Sequence, residues 1–208
     1  MFKAVQFKLR AIRNALCRFY KNSKVNTEKL YLPLVIAAIN DWSNTRIYLA
    51  LDTTVLWGRY CMIHLSLLCG GRAIPFLWKV IEHHSASVAF EVYQPLLRKA
   101  SWLLRHHNNV MLLADRGFAH QSLIKWLKSS SWHWAVRVPS DTIVHGVHRW
   151  RACTVAQLRK VRGEAKLYHK VRLWAEGTQQ ANLVLGYLKG EAEPWAVISN
   201  EPASLNIL

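Results

Sequence analysis

Two aspartates are the residues of this sequence whose setting most directly suggests chemistry. Asp52 follows the apolar run 48–51, and Asp115 follows the fully apolar run 110–114. Each run is typical of a buried strand, and ligands of open α/β sheets bind at the carboxyl ends of the strands. Although 63 positions separate the two acids, neighbouring parallel strands would bring them together. We therefore expect Asp52 and Asp115 to share one edge of a sheet.

A pair of carboxylates at one edge predicts a site for a divalent cation. Two such groups a few ångströms apart repel each other, which raises the pKa of one of them. A bound cation removes this conflict and keeps both ionised. Carboxylate oxygens suit Mg²⁺, with Mn²⁺ as an alternative, and such ions assist phosphodiester chemistry. The alternative is structural, because an aspartate after a strand often caps a turn. The presence of both acids in so basic a chain favours the metal site.

Positive charge is in large excess. The 208 residues hold 28 Lys and Arg against 12 Asp and Glu, a net charge of +16. The cations are concentrated in residues 1–29 and 149–172, and such patches attract polyanions. We therefore expect DNA as the partner, although a solvated basic face is the simpler alternative. The candidate contacts in the second patch are Arg149, Arg151, Arg159, Lys160, Arg162 and Lys166.

The composition excludes two other classes of protein. A hydrophobic content of 51% provides enough apolar surface for a folded core, which excludes wholesale disorder. No apolar run reaches the roughly 20 residues that a membrane helix needs. We therefore expect a cytoplasmic protein associated with the nucleoid and no membrane partner.

Hydrophobic periodicity predicts an α/β fold. Amphipathic helices are expected at 2–20 and 30–39. The order that follows is three strands, a helix, a strand, a helix and a strand, which requires a sheet with a parallel part. The expected strands are 47–51, 60–68, 73–80, 110–114 and 132–138, with helices at 87–105 and 121–127. After Pro139 we expect a helical piece near 154–162 and a closing pair of strands at 181–187 and 195–199.

The segments around the two aspartates resemble those of a known family. Tyr48-Leu-Ala-Leu-Asp52-Thr53-Thr54 and Leu112-Leu-Ala-Asp115-Arg116-Gly117-Phe118 resemble bacterial insertion-sequence transposases of the DDE superfamily, closest to the IS-four type. This resemblance implies a ribonuclease-H-like mixed sheet flanked by helices. It also implies cut-and-paste cleavage and strand transfer of DNA with Mg²⁺ or Mn²⁺. Transposon ends and target DNA would be the partners, with a homodimer in the DNA complex.

The resemblance also assigns roles to individual residues. Asp52 and Asp115 match the first two acids of a three-acid metal site, and Arg137 is similar to the arginine that usually closes the fifth strand. The local setting of Arg116 also suggests that it could meet a phosphate, although a salt bridge is the structural alternative. In the basic insertion, Trp150 and Trp174 could stack on a displaced base, although packing in a small core is the favoured interpretation of each.

The third acid of the family has no match. Its signature Tyr-x2-Arg-x3-Glu-x6-Lys does not occur in the 208 residues, and neither the spacing nor the flanks of Glu201 fit it. We therefore expect an incomplete transposase with low or no activity. The alternatives are a catalytically inactive DNA-binding remnant or a metal-dependent nuclease of the same fold. The expected organisation is a basic helical arm (1–45), the first part of the core (46–139), a basic β-rich insertion (140–193) and the start of a return to the core (194–208).

Overall fold

The protein divides into two compact units, Met1–Trp42 and Ser43–Leu208. The computed structural model describes residues 13–15, 17–19, 21–22, 24–40, 42, 45–148, 151–158, 162–187, 190 and 193–202. Within the described residues, no helix has the length and apolar character needed to cross a lipid bilayer.

The first unit contains a helix, α1, at Thr27–Asn40. It begins three residues before the predicted start because Asn26 caps it: the Asn26 Oδ1 accepts a hydrogen bond of 3.0 Å from the backbone N–H of Lys29. Pro33 lies inside this helix. Residues 13–15, 17–19 and 21 are also helical. The rest of the helix predicted at 2–20 lies outside the described residues.

The described part of the second unit forms one ten-stranded sheet with two helices. The order along the sheet is β3-β2-β1-β4-β5-β10-β9-β8-β6-β7. The strands are β1 Ile47–Leu56, β2 Tyr60–Cys69, β3 Arg72–Glu82, β4 Val110–Ala114, β5 His133–Arg137, β6 Ile143–His148, β7 Arg151–Thr154, β8 Ala165–Leu173, β9 Gln179–Gly186 and β10 Trp195–Ser199, and the helices are α2 Phe90–Leu103 and α3 Gln121–Ser129.

The centre of the sheet is parallel and both of its sides are antiparallel. β4 pairs in parallel with β1 and with β5. The connections from β3 to β4 and from β4 to β5 run through α2 and α3. The predicted α/β class, with a mixed sheet flanked by helices, is confirmed. The predicted closing strands are confirmed as the antiparallel pair β9 and β10, and β10 also pairs with β5.

Two predicted elements differ from the structure. The strand expected at 47–51 continues to Leu56, because Thr53 and the residues after it keep pairing with β2. Asp52 therefore lies within β1, although it comes directly after the last residue that pairs with β4. Of the helical piece expected at 154–162, the described part forms a 3₁₀ turn at Val155–Gln157, and residues 159–161 lie outside the described residues. Thr154 and Gln157 close this turn in a capping box.

Aromatic packing fixes the loop after β4. The buried ring of Tyr93 in α2 makes T-shaped contacts with Phe90 and with Phe118, each with ring centroids 5.4 Å apart. Phe118 ends the 3₁₀ turn Arg116–Phe118 that directly follows Asp115. The packing of α2 thus determines where the chain leaves β4, and with it the position of Asp115.

The hydroxyl of Tyr93 is buried without a hydrogen-bond partner among the described residues. Burial, with a smaller contribution from the Glu91 carboxylate, raises the pKa of Tyr93. Because an unsatisfied buried hydroxyl is costly, we predict that Tyr93→Phe increases the free energy of unfolding by about 1 kcal/mol. Urea denaturation measures this change. A loss of stability from Tyr93→Phe would show that the hydroxyl has a partner, whereas Tyr93→Ala should lose about 3–5 kcal/mol in either case.

Candidate active site

The register between β1 and β4 places the two aspartates side by side. The last paired residues of these parallel strands are Leu51 and Ala114, and the next residue on each chain is an aspartate. Because residues in register on neighbouring strands point to the same face of a sheet, Asp52 and Asp115 stand on one face as neighbours. Their side chains are 61% and 52% exposed, so their oxygens are open to a ligand.

Both aspartates line an open cavity of about 470 Å³. Its lining comes from the strands β1, β4, β5 and β10, together with Asp115 directly after β4. Its floor is apolar, because Ala135 and Val197 pack there in one small cluster with Leu113. The polar rim above this floor is formed by Asp52, Asp115 and Arg137.

Arg137 is held in one orientation by three contacts. Its Nη1 lies 3.1 Å from Oδ1 of Asp115, and its Nη2 lies 3.1 Å from Oε1 of Glu193. The guanidinium also lies over the ring of Trp195, 4.2 Å from the centroid, which is a cation–π arrangement. The side chain is 24% exposed. Arg137 therefore presents a fixed positive charge beside Asp115.

Glu193 forms ion pairs with both arginines at this edge of the sheet, Arg137 and Arg116. Besides its contact with Arg137, its carboxylate lies 3.4 and 3.5 Å from Nη1 of Arg116. The carboxylate thus lies between two guanidinium groups, next to Asp115. The sequence reasoning missed Glu193, because no motif surrounds it. The available signal was its position two residues before Trp195, the first residue of a strand that pairs with β5.

Asp52 has a histidine neighbour that the sequence reasoning also missed. His64 lies opposite Asp52 in the β1–β2 pair, and its Nε2 is 3.9 Å from Oδ2 of the aspartate. The other ring nitrogen of His64 lies 3.2 Å from the Ser66 hydroxyl. Oδ1 of Asp52 accepts a hydrogen bond of 2.7 Å from the backbone N–H of Thr53. These contacts orient the carboxylate while leaving it largely exposed.

Glu201 lies at the opposite edge of the sheet. Its carboxylate pairs with Arg46, at 3.2 Å, and with His133. Arg46 precedes β1 and His133 begins β5, so these partners mark the amino-terminal edge of the parallel strands. Glu201 is therefore directed away from Asp52 and Asp115.

The other predicted DNA contacts that the structure describes do not line the cavity. Arg151 is exposed on β7, Lys166 lies on β8, and the guanidinium of Arg162 lies 5.2 Å from the ring centroid of Tyr187. β7 is five strands from β5, a separation of about 24 Å across a sheet. Arg149, Arg159 and Lys160 lie outside the described residues.

The donor set fits a hydrated divalent cation held by two carboxylates. Exposed oxygen donors suit Mg²⁺ or Mn²⁺, which keep several water ligands. In the part of the chain that the structure describes, no group of three or more His, Cys, Asp and Glu side chains could hold a metal ion. Asp52 and Asp115 would therefore be the protein ligands, and water or substrate oxygens would complete the shell.

We predict that Mn²⁺ binding depends on both aspartates. Asp52→Asn or Asp115→Asn should weaken binding about tenfold or more, because each removes one of two charged ligands. Arg137→Gln should strengthen Mn²⁺ binding, because it removes the positively charged guanidinium beside Asp115. The electron paramagnetic resonance signal of free Mn²⁺ measures the affinity. Asp141→Asn, which alters an exposed acid outside the cavity, is the control. Equal affinities for all variants would contradict a shared site.

Comparison with known proteins identifies a family by sequence. The model of the family described as "Transposase DDE domain" matches residues 53–190. The match contains Asp115, and Asp52 lies one residue before it. No curated protein sequence matches the chain.

Several solved structures are similar in fold at low sequence identity. A piggyBac transposase synaptic complex with hairpin DNA is 13% identical with a TM-score of 0.45, over 95% of this chain and 42% of that one. The catalytic domain of human Endonuclease V is 14% identical with a TM-score of 0.40, over 88% and 86% of the two chains. Marinitoga piezophila Argonaute, in complex with guide RNA and target DNA, is 8% identical with a TM-score of 0.35, over 77% and 23%. The protein thus spans less than half the length of the piggyBac chain.

Proposed function

The chain belongs to the transposase DDE domain family, and from that premise we propose that it acts on phosphodiester bonds of DNA at the edge formed by Asp52 and Asp115. The observation that carries this proposal is the register of β1 and β4, which makes the two carboxylates neighbours. A net charge of +16 supports DNA as the substrate. Transposon ends and target DNA, a homodimer on that DNA and association with the nucleoid belong to the same proposal.

Each polar residue of the cavity has a distinct task in this proposal. Asp52 and Asp115 hold a divalent cation, Mg²⁺ or Mn²⁺, and His64 helps to orient Asp52. When bound, such an ion supplies Lewis acidity at phosphoryl oxygens and lowers the pKa of water. Arg137, fixed against Trp195, binds a phosphate next to the reacting bond. The half-exposed Arg116 is a second phosphate ligand.

Glu193 forms ion pairs with the two arginines to which we assign phosphate binding. A carboxylate and a phosphate offer similar oxygen pairs to guanidinium donors, and Glu193 lies between both guanidinium groups. DNA must therefore displace it, or share the arginines with it, before the backbone reaches Asp115. The carboxylate keeps the arginines close to the site at the expense of some affinity for DNA.

A binding protein without cleavage activity is the second candidate function. It is favoured because no three acids of the described residues are grouped so that they could hold a metal ion, since Glu193 pairs with two arginines and Glu201 pairs at the opposite edge. With two ligands the cation is held weakly, and cleavage is slow or absent. Binding through the arginines does not need the cation.

Nicking of supercoiled plasmid in Mg²⁺ or Mn²⁺ tests these alternatives. We predict slow nicking by the wild type that is lost in Asp52→Ala and in Asp115→Ala and kept in the control Asp141→Ala. DNA binding that persists without nicking in any variant would establish the binding protein instead. Joining of a cut 3′ end to a second DNA distinguishes a transposase from a nuclease of the same fold. Absence of both binding and nicking would contradict the proposed function.

Removing the charge of Glu193 should strengthen DNA binding. We predict that Glu193→Gln tightens binding of a duplex oligonucleotide about two- to fivefold at low salt, because exposed ion pairs of this kind are worth up to about 1 kcal/mol. Fluorescence anisotropy in EDTA measures affinity without cleavage.

The matched control for this change is Glu176→Gln. It removes the same charge from an exposed carboxylate that accepts a hydrogen bond from the neutral side chain of Gln121. Equal tightening by the two variants would show that only net charge matters. Weaker binding by Glu193→Gln would show that the carboxylate positions the arginines and does not compete for them.

A further inference from the structure

The hairpin of β1 and β2 extends well past the candidate active site. Pairing with β4 ends at Leu51, whereas pairing with β2 continues to Leu56 opposite Tyr60. The turn at Trp57 and Gly58 therefore lies beyond the edge on which Asp52 stands. Trp57 comes five positions after Asp52 along the chain, which corresponds to about 16 Å of strand.

Trp57 has a backbone conformation that is costly for its residue type. Its φ is 53° and that of Gly58 is 62°, and the N–H of Arg59 donates to the carbonyl of Leu56 at 3.1 Å. Two central residues with positive φ and this hydrogen bond define a type I′ turn, in which Asn-Gly is the favoured pair. A bulky side chain with positive φ is an outlier.

The surrounding structure holds the turn in this conformation. The N–H of His83 donates to the carbonyl of Arg59 at 2.9 Å, and Nδ1 of His84 lies 2.7 Å from the carbonyl oxygen of Gly58. The side chain of Arg59 pairs with Glu82 at 2.9 Å. Strained residues persist where neighbours determine their geometry, and they concentrate at functional sites. The turn at Trp57 and Gly58 is therefore held in a fixed conformation, which also fixes the position of the Trp57 side chain.

The indole of Trp57 buries little surface against the described residues of the protein. The residue is 87% exposed, the highest value among the exposed large hydrophobic residues of the described chain. Its ring contact is edge-on with Tyr60, with centroids 6.4 Å apart. Exposure of the ring together with a strained backbone is the combination expected at a binding site.

We propose that Trp57 stacks on an unpaired base of the DNA strand held at the active site. This inference rests on the proposed function, because it assumes that a DNA strand bound at Asp52 runs along the hairpin of β1 and β2. At about 3.4 Å per nucleotide, the ring lies roughly five nucleotides from the reacting bond. Aromatic rings bind bases of any sequence by stacking. The two tryptophans singled out from the sequence are placed differently: Trp150 lies outside the described residues, and Trp174 is half-buried.

The decisive variant is Trp57→Asn, because it removes the ring while improving the turn. We predict that its affinity for a duplex with an unpaired overhang falls about fivefold or more. Its midpoint of thermal unfolding should rise by about 2–4 °C, because asparagine tolerates positive φ. Trp57→Phe, which keeps an aromatic ring, should bind within about twofold of the wild type. Fluorescence anisotropy in EDTA measures all affinities.

Two controls separate stacking from charge and from surface apolarity. Abasic nucleotides at the overhang positions should weaken binding by the wild type and leave Trp57→Asn unaffected. Trp102→Gln changes another exposed tryptophan, in the last turn of α2, and should not alter affinity.

Three outcomes would overturn the inference. The first is equal binding of the overhang by Trp57→Asn and by the wild type. The second is an equal loss of affinity by Trp57→Asn for the overhang DNA and for heparin, which carries negative charge but no bases. The third is dissociation of a dimer by Trp57→Asn, seen in sedimentation, with DNA affinity unchanged. If the wild type binds no DNA at all, the proposed function itself fails.

Discussion

The pairing of β1 with β4 is the constraint on which the rest of the site depends. These strands are parallel, and their last paired residues are Leu51 and Ala114. A shift of one residue in this register would send one aspartate to the other face of the sheet. The apolar side chains of both strands are largely buried, so such a shift would also expose core residues. The hydrophobic core therefore maintains the geometry of the two carboxylates.

Charge balance around Asp115 follows from the sheet order. β10 pairs with β5 in antiparallel register, with Val197 opposite Arg137. The start of β10 and the segment before it therefore bring Trp195 and Glu193 to the edge where Arg137 ends β5. This arrangement places two acids and two arginines in one connected group. In such a group a phosphate can replace an internal carboxylate without leaving either guanidinium unpaired, which suits a surface that binds and releases DNA.

The parts of the fold that depend on local pattern could be predicted from the sequence. The strand Val110–Ala114 has the bounds that its sequence predicts, because a fully apolar run between polar residues is typical of a buried strand. The extension of β1 to Leu56 was missed, because its Thr-Thr segment gains its strand pairing from β2. Glu193 and His64 were missed for a related reason: pairing between distant strands brings them to the site. Nothing local indicates that Trp57 adopts positive φ, since a residue of that type rarely does.

Cleavage of the polypeptide by bound iron tests the central geometry most directly. Fe²⁺ with ascorbate and peroxide generates radicals that cut the backbone next to a metal ion. We predict cuts near residue 52 and near residue 115 in the same sample. Mg²⁺ should compete with both cuts, and both should be lost together in Asp52→Asn or Asp115→Asn. Cuts at one position alone, or loss of only the local cut in each variant, would contradict a cation shared by the two strands.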